Sequence, residues 1–235
     1  MERIASNKPK RTATEIAEQI KSLVEDPKLV EQRRKQITKA AIAAFIRHGY
    51  HPCTIRNIAK QAQVSVGLIY QYVGDKEDLL FLALVEILRA YKEGIPSAVA
   101  GVDEPLQRFC TVVRAYCTIH SGSPDATTLA YRETASLSKE RRDAIKQLEV
   151  ETNQLIIDPI RACIAAGIFE RHINEDVLCY QIVMFSHTWA LKAWNLQPRM
   201  TLETYLEDGL RLMLGGVMTA KGAEQYGVLT GNAKP

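Results

Sequence analysis

Between Gln32 and Gly74 the chain carries seven basic side chains, Arg33, Arg34, Lys35, Lys39, Arg47, Arg56 and Lys60, and no Asp or Glu. A basic stretch with no acid of its own to pair with has the chemistry of a phosphate-neutralising surface. A solvated basic face would account for the count but not for the missing acids. The imbalance is local. Residues 1–80 hold 14 Lys/Arg against 9 Asp/Glu, residues 81–235 hold 16 against 18, and the whole chain has a formal net charge of +3.

Other reactive side chains do not gather. The five cysteines, Cys53, Cys110, Cys117, Cys163 and Cys179, are scattered, with no pair at the two-residue gap of a metal knuckle or redox site. Cys110 and Cys117 are seven apart on one helical face, which suits buried apolar filler. His48 and His51 straddle Gly49 at a helix end with no carboxylate near them in sequence. Nucleophile motifs and phosphate-cradling glycine loops are absent. The expectation is no catalytic residue, no metal and no cofactor.

The elements that would position the basic residues are short. Thr54 to Leu80 reads as two short helices, a tight turn between them, and the start of a longer third helix. Ile55, Ile58, Ala59 and Ala62 have helical spacing with one buried face, and Thr54 caps them. Ser65 caps the second helix, whose apolar residues Val66, Ile69 and Val73 recur at three and four. Only Gln63-Val64 separates the two. That arrangement puts one helix into a DNA major groove. A preceding helix is expected from about Lys28 to His48, ended by Gly49. Asp75 caps the following one, which runs to about Tyr91 and stops before Gly94 and Pro96. This helix would leave the head and enter the body, coupling the two.

The remaining chain reads as all-α. Helices are expected over about 104–120, 125–135, 139–166 (kinked at Pro159), 175–194 and 202–218, with no strand pattern. Residues 14–25 suit a helix or a loosely ordered arm, whose Lys8, Lys10 and Arg11 could touch phosphates. The division expected is a basic extension over 1–28, a three-helix reading head over 29–80, a larger helical body over 81–218 and a frayed Gly-rich tail over 219–235. No apolar run approaches the ~18 residues of a membrane helix. The first residues lack the apolar core of a secretory signal, so a cytoplasmic location is expected.

The series Arg34, Ile37, Ala40-Ala41, Phe45, Gly49-Tyr50, Thr54, Ile58-Ala59, Ala62, Val64-Ser65, Gly67, Ile69-Tyr70, Tyr72-Val73, Lys76-Glu77 and Leu79 resembles the DNA-binding signature of the TetR family of bacterial transcriptional regulators. The resemblance covers roughly residues 30–80. It implies a homodimer that binds a palindromic double-stranded DNA operator, usually as a repressor, and a body in which a small effector triggers release. Residue by residue, it implies that Thr54 and Arg56 open the first short helix, with Arg56 near a base or phosphate. Ser65, Val66, Gly67 and Leu68 would face the groove, followed by Tyr70, Gln71 and Tyr72, and Lys76 would meet a phosphate.

Those roles suit the side chains. Gly67 permits close backbone approach. Gln71 can pair with adenine, and Val66 or Leu68 can touch a thymine methyl. Tyr70 and Lys76 can donate to phosphates, which position without specifying. Val66 suits the core equally well, and Tyr72 is expected to expose its hydroxyl.

In the body, Val177, Tyr180, Ile182, Val183, Phe185, Trp189, Ala190, Trp194, Leu206, Leu210 and Met213 make apolar surfaces too broad for cover on one side. Pairing of residues 175–194 and 202–218 with a second copy would cover them, and the family dimerises in this way. Tyr116, His120, Tyr131, Arg132, Glu133, Phe185, His187 and Lys192 are polar or aromatic residues in otherwise apolar helices and are the candidate effector contacts, although each also fits an ordinary core or surface position. The segments 131–151 and 187–196 are similar to bodies of family members that respond to acyl-coenzyme A, with Arg132 or Lys192 able to meet an anionic head group. A constitutive DNA-binding protein without ligand control and a helical enzyme are the alternatives. The first would lack effector-sensitive release, and the second lacks any motif.

Overall fold

The computed structural model describes residues 11–122 and 124–231. Among them the helices are α1 (Ala13–Gln19), α2 (Pro27–His48), α3 (Ile55–Ala62), α4 (Val66–Tyr72), α5 (Lys76–Ala98), α6 (Pro105–Ser121), α7 (Pro124–Glu133), α8 (Lys139–Ala165), α9 (Glu175–Leu191), α10 (Ala193–Leu196), α11 (Leu202–Leu214) and α12 (Ala220–Leu229). No strand occurs among the described residues; Phe169 and Met218 make an isolated bridge. The chain forms two compact units, residues 1–86 with 132–149, and residues 87–131 with 150–235.

In the first unit α3 packs along α2, and α4 touches both. Ile37, Ala41 and Phe45 of α2, Ile58 of α3, Ile69 of α4 and Leu79 and Phe81 of α5 are each buried. Each large side chain of this kind contributes about 1.5–3 kcal/mol on burial. Asp26 caps α2 by accepting from the N–H groups of Lys28 and Leu29, with Pro27 in the first turn where its missing N–H costs nothing. Gly49 ends α2 at φ +78°, a conformation other residues adopt at a cost. Asp75 accepts from the Asp78 N–H at 2.8 Å and so opens α5, as its sequence position suggests.

The second unit is an all-helical body in which α6 packs on α9 and also meets α11 and α12. Its core joins Ile95, Leu106, Phe109, Val113, Ile156, Ile160, Phe169, Ile182 and Leu210. All five cysteines are buried and free of disulfides, and for Cys110 and Cys117 this is in keeping with their reading as filler. Burial pushes the Cys110 thiol up to about 12 and that of Cys117 to about 11.

Helix α9 ends at Leu191, with α10 separate after it, and α11 ends at Leu214, both short of the bounds expected; three further elements depart for reasons that their contacts show. Helix α1 ends at Gln19 instead of reaching Glu25, because residues 22–24 turn to bond elsewhere: the Leu23 N–H donates to the Gln71 carbonyl at 2.8 Å. Helix α5 passes through Gly94 and Pro96 to Ala98. Gly94 lies where α6 comes closest, for a Cβ there would sit 2.9 Å from Ile119 Cδ1. The tail expected to fray instead forms α12. Its Gly222 lies against the chain so tightly that a Cβ would stand 2.2 Å from the Ile168 carbonyl oxygen. Thr219 donates to the Gly167 carbonyl at 2.8 Å, and Lys221 to that of Ala166 at 2.8 Å. These are long-range contacts, invisible to local composition.

Candidate nucleic-acid interface and interior polar cluster

The two short helices of the head are each closed at their start. Thr54 Oγ1 accepts from the Asn57 N–H while Asn57 Oδ1 accepts from the Thr54 N–H at 2.8 Å, a reciprocal cap. Gln63 takes the left-handed conformation, φ +58°, which turns the chain between α3 and α4. Ser65 Oγ then accepts from the Leu68 N–H at 3.1 Å and starts α4.

Helix α4 is divided by face. Ile69 and Tyr72 point inward, whereas Gly67, Tyr70 and Gln71 are exposed and Val66 and Leu68 are half-buried. Gly67 is uncrowded: beyond its own helix backbone, a Cβ there would meet among the described residues only Ser65 Oγ, at 3.9 Å. Thr54, Arg56 and Lys60 are exposed on or beside α3. Two residues depart from expectation. Tyr72 is 3% exposed, because it shares the inward face with Ile69, so its hydroxyl does not lie open. Lys76 has its ammonium on the carbonyls of Tyr50, His51 and Cys53, at 3.0, 3.0 and 3.1 Å, and lies 4.5 Å from the Tyr50 ring centre. Three donors and three carbonyls leave this lysine bracing the α2–α3 connection.

The far end of α4 is held by residues that periodicity did not single out as a clamp. The Arg34 guanidinium donates to the Tyr72 carbonyl at 2.9 Å, to Ala17 at 3.1 Å and to Ile20. Ser22 Oγ donates to the Gln71 carbonyl at 3.2 Å, beside the Leu23 N–H. The last carbonyls of a helix lack internal partners, and here donors come from Arg34 of α2 and from the segment between α1 and α2. In sequence Arg34 stands out only as one of the seven basic residues and by the family spacing, and nothing local marks Ser22 or Leu23 as a partner of α4.

Inside the second unit three of the candidate effector residues come together. Tyr116 is buried and stacks on Tyr91 with ring centres 4.6 Å apart, and His187 lies 6.1 Å from it. The Tyr131 hydroxyl lies 2.7 Å from His187 Nδ1. Burial holds the His187 imidazole down to about 4, so it is neutral at physiological pH. Close by in sequence, Cys117 Sγ and Ser186 Oγ are 2.9 Å apart. Phe185 stacks on Tyr205 at 4.4 Å, and the Tyr205 hydroxyl donates to the Phe185 carbonyl at 2.7 Å. Arg132 and Lys192 are exposed and take no part in this cluster. Glu133 instead accepts from Ser136 at 3.1 Å within the first unit. The His120 side chain lies outside the described residues, as do Lys8 and Lys10. Among the described residues no group of three His, Cys, Asp or Glu could hold a metal ion.

Residues 37–83 match the family described as bacterial regulatory proteins, tetR family, and residues 102–192 match the tetracyclin repressor-like C-terminal domain. An HTH-type transcriptional regulator, HbdR of Aromatoleum sp. (strain CIB), is 51% identical over 206 residues, 88% of this chain and 90% of that protein. The chain belongs to the TetR family. A fatty acid metabolism regulator protein of Bacillus subtilis (strain 168) is 26% identical over 186 residues, 77% of this chain and 94% of that protein. The transcriptional regulator FadR from Bacillus subtilis, solved in complex with stearoyl-CoA, shares the fold, with a TM-score of 0.67 and 20% identity over 77% of this chain and 98% of that one.

As a TetR-family transcriptional regulator the protein has α2, α3 and α4 as its helix-turn-helix head and a larger all-helical C-terminal part. Among the described residues no helix is long and apolar enough to cross a membrane.

Proposed function

We propose that this regulator is a ligand-responsive repressor that binds a palindromic DNA operator as a homodimer and is released by a small effector. The observation that carries the reading is the division of α4: Ile69 and Tyr72 anchor the helix while Gly67, Tyr70 and Gln71 stay exposed beside a basic, acid-free stretch. Val66, Gly67 and Leu68 enter the major groove behind the Ser65 cap, and Gln71 reads a base edge. Tyr70, Arg56 and the Thr54 end of α3 meet phosphates. Lys76 braces the preceding turn and reaches a phosphate only by exchanging one of its carbonyls. A cytoplasmic location follows from a DNA partner.

Residues 29–80 are the reading head in this proposal and 81–218 the effector-binding and dimerising body. The dimer forms through α9 and α11. Support comes from Val177, Tyr180 and Met184, which recur at helical spacing on α9 and remain 57%, 48% and 46% exposed although Ile182, Val183 and Trp189 on the opposite side are buried. An exposed apolar row on an already half-buried helix suits a second copy. The effector binds the body beside Tyr116, Tyr131 and His187, where the half-exposed Tyr131 hydroxyl meets the His187 imidazole next to the buried Tyr116 ring. The kinship with a fatty acid metabolism regulator and the shared fold of a regulator solved with stearoyl-CoA favour an acyl-coenzyme A.

Selection of bound fragments from a genomic DNA pool tests the first part, with an enriched palindrome expected. Enrichment of no sequence overturns it. A panel of acyl-coenzyme A compounds then tests the second: one is expected to raise the melting temperature and release the recovered operator. If DNA is enriched but no compound does either, the acyl-thioester assignment fails and the protein is a constitutive binder with respect to that class.

A further inference from the structure

The segment between α1 and α2 is tied to the C-terminal end of α4 more closely than to its own helix. The Gln71 carbonyl accepts the Leu23 N–H at 2.8 Å and lies 3.2 Å from Ser22 Oγ, whose one proton it shares with the Val24 carbonyl at 3.1 Å. Ser22 Oγ also accepts from the Val24 N–H at 3.1 Å, which fixes the turn. Arg34 clamps the same region, spanning the Tyr72 carbonyl and the end of α1. Helix α1 itself is anchored by buried Ala13, Ile16 and Ile20. Each bond to Gln71 joins residues about fifty positions apart, at the one residue of α4 best suited to read a base.

This has a chemical consequence at the rim. Lys21 is exposed, directly precedes Ser22, and its ammonium has no ion-pair or hydrogen-bond partner among the described residues. The acids nearest in sequence are Glu18 and Glu25, both exposed, and among the described residues neither is bonded to it. Lys21 is therefore an unspent cation directly preceding the two residues that bond the Gln71 carbonyl. Leu23, next to it, is 66% exposed, an apolar side chain left beside the same helix end.

We propose that residues 20–24 are a further element of the DNA-binding surface, which holds the end of α4 through the Gln71 carbonyl and brings Lys21 against a backbone phosphate flanking the bases that α4 reads. The inference rests on the DNA-binding reading above. The contact adds sequence-independent affinity, because a phosphate is the same at every site. The bond to Gln71 acts differently: it sets the register of a seven-residue helix and so acts on discrimination.

Full-length protein and the recovered operator test both halves. For Lys21→Gln the slope of log affinity against log salt is expected to fall by about 0.9 per contact, or about 1.8 for a dimer. Between 50 and 200 mM salt the variant then loses roughly tenfold less affinity than wild type. Lys21→Arg is expected to keep the wild-type slope. Leu23→Pro removes the N–H that bonds Gln71 and leaves the charge, so its slope should match wild type while its ratio of operator to random-duplex affinity drops severalfold at an unchanged melting temperature. A Lys21→Gln slope equal to that of wild type overturns the phosphate contact, and an unchanged ratio in Leu23→Pro overturns the positioning role. If wild type binds no DNA, it is the DNA-binding reading that has failed.

Discussion

The guanidinium of Arg141 is bonded to the carboxylate of Asp78, 63 residues earlier in the chain, and the other oxygen of that carboxylate holds the N–H groups of Gly74 and Asp75 at 2.7 and 3.2 Å. The Asp78 side chain is 7% exposed. Arg141 also lies 3.3 Å from Glu77, whose second tie is the Ser138 N–H at 2.9 Å. Burial alone would raise the Glu77 carboxyl, but the bonds from Ser138 and Arg141 outweigh it and hold it below the usual range. The turn that follows α4 is thus clamped to the start of α8 within one compact unit.

Arg141→Ala removes the one cation bonded to Asp78 among the described residues while leaving its two backbone donors. Breaking a buried pair from one side costs 3–5 kcal/mol, and the retained N–H bonds put this case at the low end, about 3 kcal/mol. Thermal or denaturant unfolding of the variant checks the figure. A change under about 1 kcal/mol would mean that Arg141 is incidental to the clamp.

Gly67→Ala should separate stability from binding. Its Cβ meets nothing closer than 3.9 Å in the free protein, and alanine is favoured over glycine in a helix by about 1 kcal/mol. The melting temperature should rise. Operator affinity should fall at least tenfold, because the added methyl occupies space that the groove needs. A variant that melts higher and binds as well as wild type would remove Gly67 from the interface.

Acid should loosen the body through His187. Its folded value of about 4 lies below the ordinary 6.5, so between those pH values the unfolded chain binds the extra proton. The stabilisation is fully present above pH 6.5 and is lost as pH falls towards 4, on the order of 2–3 kcal/mol at most. Unfolding midpoints measured from pH 7 to pH 4 should drop more steeply for wild type than for His187→Gln. Parallel curves would deny the histidine this role.

Met184→Glu places a charge in the exposed apolar row of α9 without touching the buried face. Burying an unpaired carboxylate at a two-fold contact is costly enough to dissociate it. Sedimentation should show monomer for the variant and dimer for wild type at micromolar concentration, with similar helical content. A variant that remains dimeric would move the contact elsewhere.

The helices and caps of the head were legible in the sequence because their determinants are local. Thr54 and Ser65 cap, Gly49 tolerates a positive φ, and Ile58 and Ile69 recur with the period of a helix whose one face is buried. The acid-free basic stretch and the family spacing pointed to DNA for the same reason. Side-chain fate was less legible. Periodicity left Val66 open and Tyr72 outward, and the short α4 then turned Tyr72 inward beside Ile69. Lys76 carries an ordinary charge in sequence, but the fold surrounds it with three carbonyls.

By itself, the sequence determined the all-helical class, the reading head and the family. Only the tertiary structure decided that residues 22–24 bond the end of α4, that Arg141 clamps the turn behind it, that Tyr131 and His187 meet, and that a Gly-rich tail becomes α12. The physical reason is range. Caps and periodicity act over three or four residues, whereas these contacts join groups about fifty residues apart or more, and they form only when distant helices present matching donors, acceptors and space.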